Sequence, residues 1–136
     1  VTSQVLDIHD GELEPTLENR RLITKIIREW KADIVISHRP WDYHPDHRHL
    51  AQLVFDAYFQ KGLPHIPDQK KPACRFAGAQ VYYMDNIGGI GFAPTEYVDI
   101  SPVMETKLRM LRCHKSQFSA ISELVQRDLE QVATIP

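Results

Sequence analysis

Leu22, Ile23, Ile26, Ile27 and Trp30 recur at i, i+1, i+4, i+5 and i+8, which is one face of a helix. Thr16, after Pro15, is a candidate N-cap, and Glu18 suits the first turn. The spacing therefore predicts a helix over residues 16–31. Ile34, Val35 and Ile36 follow as a continuous β-branched run. Apolarity without alternation predicts a strand buried on both faces, as in a parallel sheet. That strand ends at Ser37 and His38. Pro45 suits position N1 of a helix, and Leu50, Val54, Ala57 and Tyr58 behind it return to helical spacing. A second helix is predicted over 45–60, closed by Lys61 and Gly62.

The remaining pattern is shorter. Residues 3–8 predict a strand before a turn at Asp10-Gly11. Pro64, Pro67 and Pro72 mark an exposed connection. Residues 79–84 predict a third strand. Gly88, Gly89 and Gly91 mark a mobile loop, and residues 97–100 a fourth, short strand. Met104, Leu108 and Leu111 share a helical face, and a last helix after Ser116 carries Ile121, Leu124, Val125 and Leu129. Strands separated by helices predict an α/β domain with a mainly parallel sheet. Ile23, Ile26, Ile27 and Trp30 of one helix, and Leu50 and Val54 of the other, are expected to pack on the central strand. Such sheets bind ligands at the carboxyl ends of their strands, which is where His38 lies.

Composition narrows the class without naming a chemistry. The chain has 136 residues, 43% of them hydrophobic and 25% charged, which fits one globular domain over 1–136. Disorder, collagen and coiled coil are excluded. No apolar run approaches the ~18 residues of a membrane span, and the opening residues show no secretory pattern. A net charge of −2 argues against nucleic acid as the main partner. Cys74 and Cys113 lie in no metal or redox spacing, and the expectation is two buried free thiols in a reducing cytoplasm.

The histidines change the picture. His38, His44, His47 and His49 fall within 12 residues, interleaved with Asp42 and Asp46. With Pro45 at N1, His44 is the N-cap and His47 is N3. Both imidazoles then rim a helix amino end, whose free N–H groups and partial positive charge stabilise anions. Neutral imidazole is the commonest metal ligand, usually oriented by a carboxylate. His44, Asp46 and His47 therefore suit metal-assisted hydrolysis or general acid catalysis. His49 points roughly 200° around the helix from His47 and is expected to stand outside the site. Arg39 and Arg48 are candidates for an anionic substrate group. A rival reading pairs His44 and Asp46 with His114 as a two-histidine, one-carboxylate iron site. Such sites sit in β-sandwiches, against which the helical stripes argue.

Residues 32–38, a short loop, and Asp42-Tyr43-His44-Pro45-Asp46-His47-Arg48 together resemble the PIG-L/LmbE-like zinc-dependent N-acetylglucosaminyl deacetylases. Asp10-Gly11-Glu12-Leu13, Phe92-Ala93-Pro94, Val98-Asp99-Ile100, Lys107 and His114-Lys115-Ser116-Gln117 extend the likeness over nearly the whole chain. The resemblance implies a Rossmann-like layered fold and one zinc ion. It implies removal of an acetyl group from an N-acetylglucosamine-type amino sugar or related amide. It gives His47 as a zinc ligand and His44 as the histidine that stabilises the oxyanion or protonates the leaving amine. Asp46 would orient and charge His44. Tyr43 lies near a position where some members place an oxyanion-side tyrosine, and Trp41 and Phe92 are candidates to stack on the sugar, with Arg39 and Arg48 for an anionic group. The family's other zinc ligands and its general base lie in an amino-terminal His-Pro-Asp-Asp-Glu motif, which these 136 residues lack. The expectation is thus a partial domain, weak in metal affinity and inactive alone, working within a longer polypeptide or an assembly such as a homo-oligomer. The alternative is a non-catalytic binding module that keeps the imidazole pocket.

Overall fold

A computed structural model describes residues 2–66, 80–84 and 91–116. The chain divides into two compact units, Val1–Phe92 and Ala93–Pro136. The first contains α1 (Leu17–Trp30), β1 (Ile34–Ser37), α2 (Pro45–Gln60) and β2 (Gln80–Tyr83). The second contains a 3₁₀ turn (Ser101–Val103) leading into α3 (Met104–Arg112).

Helix α1 starts as its sequence dictates. Thr16 is extended, and its hydroxyl accepts the Asn19 amide at 3.2 Å. The helix stops at Lys31, which takes the left-handed conformation (φ 49°) while the Ala32 amide reaches back to the Ile27 carbonyl. This is the Schellman ending, with lysine where glycine is commoner. Helix α2 has Pro45 at its start and His44 as N-cap, as the sequence predicts.

Strands β1 and β2 pair in parallel, with Ile34 opposite Gln80 and Ser37 opposite Tyr83. Parallel neighbours need a crossover, and α2 lies in it. Helix α2 packs on both strands, and α1 packs on α2. Among the described residues, the buried apolar core is Ile27 of α1 with Ala51, Leu53, Val54 and Ala57 of α2. The interface of the two helices is largely polar. Arg20 pairs with Asp56 at 3.1 Å. The Thr24 hydroxyl lies 3.3 Å from Gln60 Oε1, and Arg28 Nη1 donates to the Leu63 carbonyl. Positions 20, 24 and 28 are one helical stripe, and their partners rise in number with them, so the two helices run in the same direction.

Several expectations are corrected. β1 is covered on one face only. Ser37 is buried and Val35 half-buried, whereas Ile34 and Ile36 are 57% and 61% exposed. The reason is that α1 lies on α2 rather than on the sheet, so its stripe does not cover the second face. Trp30 is 52% exposed for the same reason. Residues 3–8 and 97–100 form no strand. β-propensity describes a fit to a pleated neighbour, and among the described residues these segments have none. Cys113 is exposed, not buried. Cys74, the last predicted helix beyond Ser116, and Gly88 and Gly89 lie outside the described residues. The parallel pairing of β1 and β2 excludes the β-sandwich that the iron-site reading requires.

Candidate active site

The seven residues between β1 and Pro45 carry the chain from the carboxyl end of a strand to the amino end of a helix. Asp42 organises this turn. It is buried, and its Oδ1 accepts the His44 amide at 3.1 Å, the local Asx pattern that aspartate favours. The same oxygen lies 3.0 Å from His47 Nδ1. Burial alone would raise the Asp42 carboxyl. The His44 amide, the His47 hydrogen bond and the neighbouring imidazoles together outweigh it, so its pKa is lowered. Arg48 closes the turn from the helix side: its Nη1 donates to the Asp42 carbonyl at 2.7 Å and to the Tyr43 carbonyl at 3.0 Å.

This turn brings three imidazoles together. His47 stacks on His38, with centroids 3.8 Å apart and planes 2° from parallel. The His44 ring lies 4.8 Å from that of His47. Tyr43 meets both edge-on, at 5.9 and 5.6 Å. Desolvation by burial, then the His47 charge, lowers the pKa of His38. Neutral rings at this spacing avoid the repulsion that two imidazoliums would suffer.

A second anchor holds residues 9–13 against the start of α2. Asp46 Oδ2 accepts the Gly11 amide at 2.8 Å, and its Oδ1 accepts the Leu13 amide at 3.2 Å. His49 Nδ1 donates to the Leu13 carbonyl. Gly11 takes φ +85°, a conformation that suits glycine in the Asp10-Gly11 turn. The loop so fixed places Asp10 Oδ1 3.6 Å from His44 Nε2. Asp46, expected to orient His44, thus spends both oxygens on backbone amides, and the carboxylate paired with His44 is that of Asp10.

Among the described residues, two groups of side chains could hold a metal ion: His38, Asp42 and His47, and Asp10, His44 and Asp46, each with its candidate atoms within 4.8 Å of one another. The donor set of imidazole and carboxylate suits a borderline divalent ion such as zinc. Asp42 Oδ2 and His44 Nδ1 are buried without a hydrogen-bond partner, so polar capacity at this turn is unspent. Beside Asp10 and Asp46 lies a cavity of about 360 Å³ walled mainly by Leu6, Ile8, Leu22 and Ile23.

The expected site residues divide accordingly. His44 and His47 come together at the carboxyl end of β1, with Tyr43 against them. Asp46 is next to them but faces residues 9–13. Arg39 is buried, its guanidinium 5.1 Å from the centre of the Phe92 ring. Arg48 is occupied with the turn. Trp41 is 81% exposed. Sequence reasoning placed no role on Asp42 or Asp10. For Asp42 the signal is its place two residues before the N-cap. For Asp10 there is only the turn dipeptide, because its approach to His44 spans 34 residues of sequence.

Imidazoles and carboxylates thus gather at the junction of a parallel strand and a helix, and comparisons with known proteins narrow the class. A family model described as PIG-L, GlcNAc-PI de-N-acetylase, matches residues 1–58. The chain is 39% identical over 120 residues to the diacetylchitobiose deacetylase of Thermococcus kodakarensis, covering 83% of this chain and 42% of that protein. It is 29% identical over 124 residues to a probable N-acetyl-alpha-D-glucosaminyl L-malate deacetylase 2 of Bacillus anthracis, covering 90% of this chain and 51% of that one. Among solved structures it is similar to the N,N'-diacetylchitobiose deacetylase from Pyrococcus horikoshii complexed with its inhibitor MPG. The TM-score is 0.76 at 30% identity, over 94% of this chain and 49% of that one. The chain is thus similar to the PIG-L/LmbE-like deacetylases. It spans about half the length of the curated relatives it matches.

Proposed function

We propose that the chain is the part of a zinc-dependent N-deacetylase domain that carries the His-Pro-Asp-His motif, and that the enzyme removes the acetyl group of an N-acetylglucosamine-type amino sugar. The observation that carries this reading is the convergence of His44 and His47 at the amino end of α2, in a chain whose relatives are named deacetylases of such sugars. His47 offers a nitrogen to the ion, and the resemblance assigns further ligands and the general base to a segment outside these 136 residues. Bound zinc would supply Lewis-acid polarisation of the acetyl carbonyl and a water of lowered pKa.

The chain's own residues do the rest. His44, at the N-cap, faces the place where the carbonyl oxygen gains charge. Its protonated ring would stabilise that charge and then give its proton to the leaving amine. The Asp10 carboxylate lies 3.6 Å from His44 Nε2. Asp46 acts by fixing residues 9–13, which carry Asp10. Phe92, held by Arg39, and Trp41 offer apolar faces to a sugar ring, and Tyr43 and Arg48 border the same turn. The working site is cytoplasmic and, where copies associate, homo-oligomeric.

The test is a pair of substitutions in the active enzyme, read by bound zinc and by deacetylation of N-acetylglucosamine derivatives. His47→Ala should remove most of the zinc. His44→Ala should keep it and lose about 10²–10⁴ in kcat. Equal zinc loss in both would make His44 a ligand. No zinc and no deacetylation in the unsubstituted enzyme would leave a non-catalytic binding module.

A further inference from the structure

His38, Asp42 and His47 look by composition like three ligands of one ion. Their geometry divides them into one ligand and two supports. An imidazole nitrogen holds its lone pair in the plane of its ring. The His38 and His47 planes are 2° from parallel, and their centroids are 3.8 Å apart. Lone pairs confined to parallel planes run side by side and do not converge on a single ion. One ring of the two can ligate, and the other packs against it. Asp42 is committed too. Its side chain is 1% exposed, and its Oδ1 holds the His44 amide and faces His47 Nδ1.

A carboxylate only accepts, so the hydrogen bond to Asp42 requires the proton of His47 on Nδ1. That leaves the Nε2 lone pair open. An unsupported neutral imidazole prefers the opposite arrangement, with its proton on Nε2, where it would block a metal. The partner of one ring nitrogen decides the state of the other.

We propose that Asp42 is a positioning residue that locks His47 in the Nδ1–H tautomer and so presents Nε2 as a metal donor, while the flat His38 ring fixes the plane of that donor. The purpose assigned to this lock rests on His47 being a zinc ligand; the lock itself does not.

The lock is read directly by long-range ¹H–¹⁵N correlation on the metal-free full chain, at a pH where the imidazoles are neutral. His47 should show a protonated Nδ1 and a bare Nε2. Asp42→Ala should return it to Nε2–H. Asp42→Asn, which keeps an acceptor oxygen for the His44 and His47 N–H groups, should retain the Nδ1–H form and the fold. In the active enzyme that carries the remaining ligands, Zn²⁺ titration against a chromophoric chelator should then show an affinity loss of about 10–100-fold in Asp42→Ala, the usual cost of removing such a support. His38→Phe keeps a flat partner without a nitrogen and should lose far less zinc affinity than His47→Ala. A wild-type His47 protonated on Nε2, or a tautomer indifferent to Asp42→Ala, would overturn the proposal. So would a zinc loss in His38→Phe as large as that in His47→Ala, which would make His38 the ligand. If the tautomer behaves as stated but His47→Ala binds zinc like wild type, the lock stands and the zinc-ligand reading fails.

Discussion

Asp42 and Asp46 are four residues apart and do similar work with different partners. Each carboxylate satisfies backbone N–H groups that would otherwise be left open beside a helix amino end, Asp42 within its own turn and Asp46 across to Gly11 and Leu13. Losing a buried or half-buried acceptor leaves its donors unpaired, at about 1–3 kcal/mol. Asp46→Ala is therefore expected to destabilise the chain by about that amount. It should also speed amide hydrogen exchange at Gly11 and Leu13 ahead of the rest of the molecule. Unchanged exchange there would mean that the loop is held by His49 alone. The positions of His44 and His47 were legible in the sequence, because Pro45 at N1 fixes the helical phase of everything after it. The pairing of Asp10 with His44 was not, because no local rule says which distant loop a helix end will meet.

At the scale of elements, the two long helices were legible almost to the residue, since each carries both a repeating apolar stripe and a start signal. Their ends hold one strained position. Lys31 takes φ 49° at the end of α1, a conformation that costs a side chain roughly 1–2 kcal/mol and glycine little. Lys31→Gly should stabilise the chain by about 1 kcal/mol, read as a higher melting temperature at unchanged helix content. The strands were less legible. Residues 3–8 and 34–37 each hold three apolar residues, but among the described residues only the second segment finds a parallel neighbour, in Gln80–Tyr83. Tyr83 at the end of that neighbour reports on the pairing, because burial pushes its phenol above the usual value. The folded chain then holds this proton after the unfolded chain has released it. Stability is full below pH ~10 and falls as the pH rises through the folded pKa. Tyr83→Phe should remove the latest step in the ultraviolet titration of the tyrosines and flatten that alkaline loss. Loss of a step at the ordinary phenol value instead would place Tyr83 in solvent.

At the scale of the molecule, the sheet exposes one face of β1. Ile34 and Ile36 project from one face with more than half their surface exposed. Such residues contribute little to the stability of the chain that exposes them, and they favour association. Replacing both by Thr, which keeps strand propensity, should change stability by less than about 0.5 kcal/mol per site. It should also reduce concentration-dependent self-association in sedimentation velocity. Unfolding of the double variant would show that the face is covered. The sequence by itself determined the α/β class, the two helices, the strand between them and the gathering of imidazoles at its end. These follow from periodicity, capping and the fixed phase of a helix, which act over a few residues. Only the tertiary structure decided that α1 packs on α2 and leaves Ile34 and Ile36 exposed, that Asp42 meets His47 and Asp10 meets His44 in place of Asp46, and that the His38 and His47 rings stack with parallel planes. Those outcomes depend on contacts between segments far apart in the chain and on the angles between planes, and no local pattern of residues encodes either.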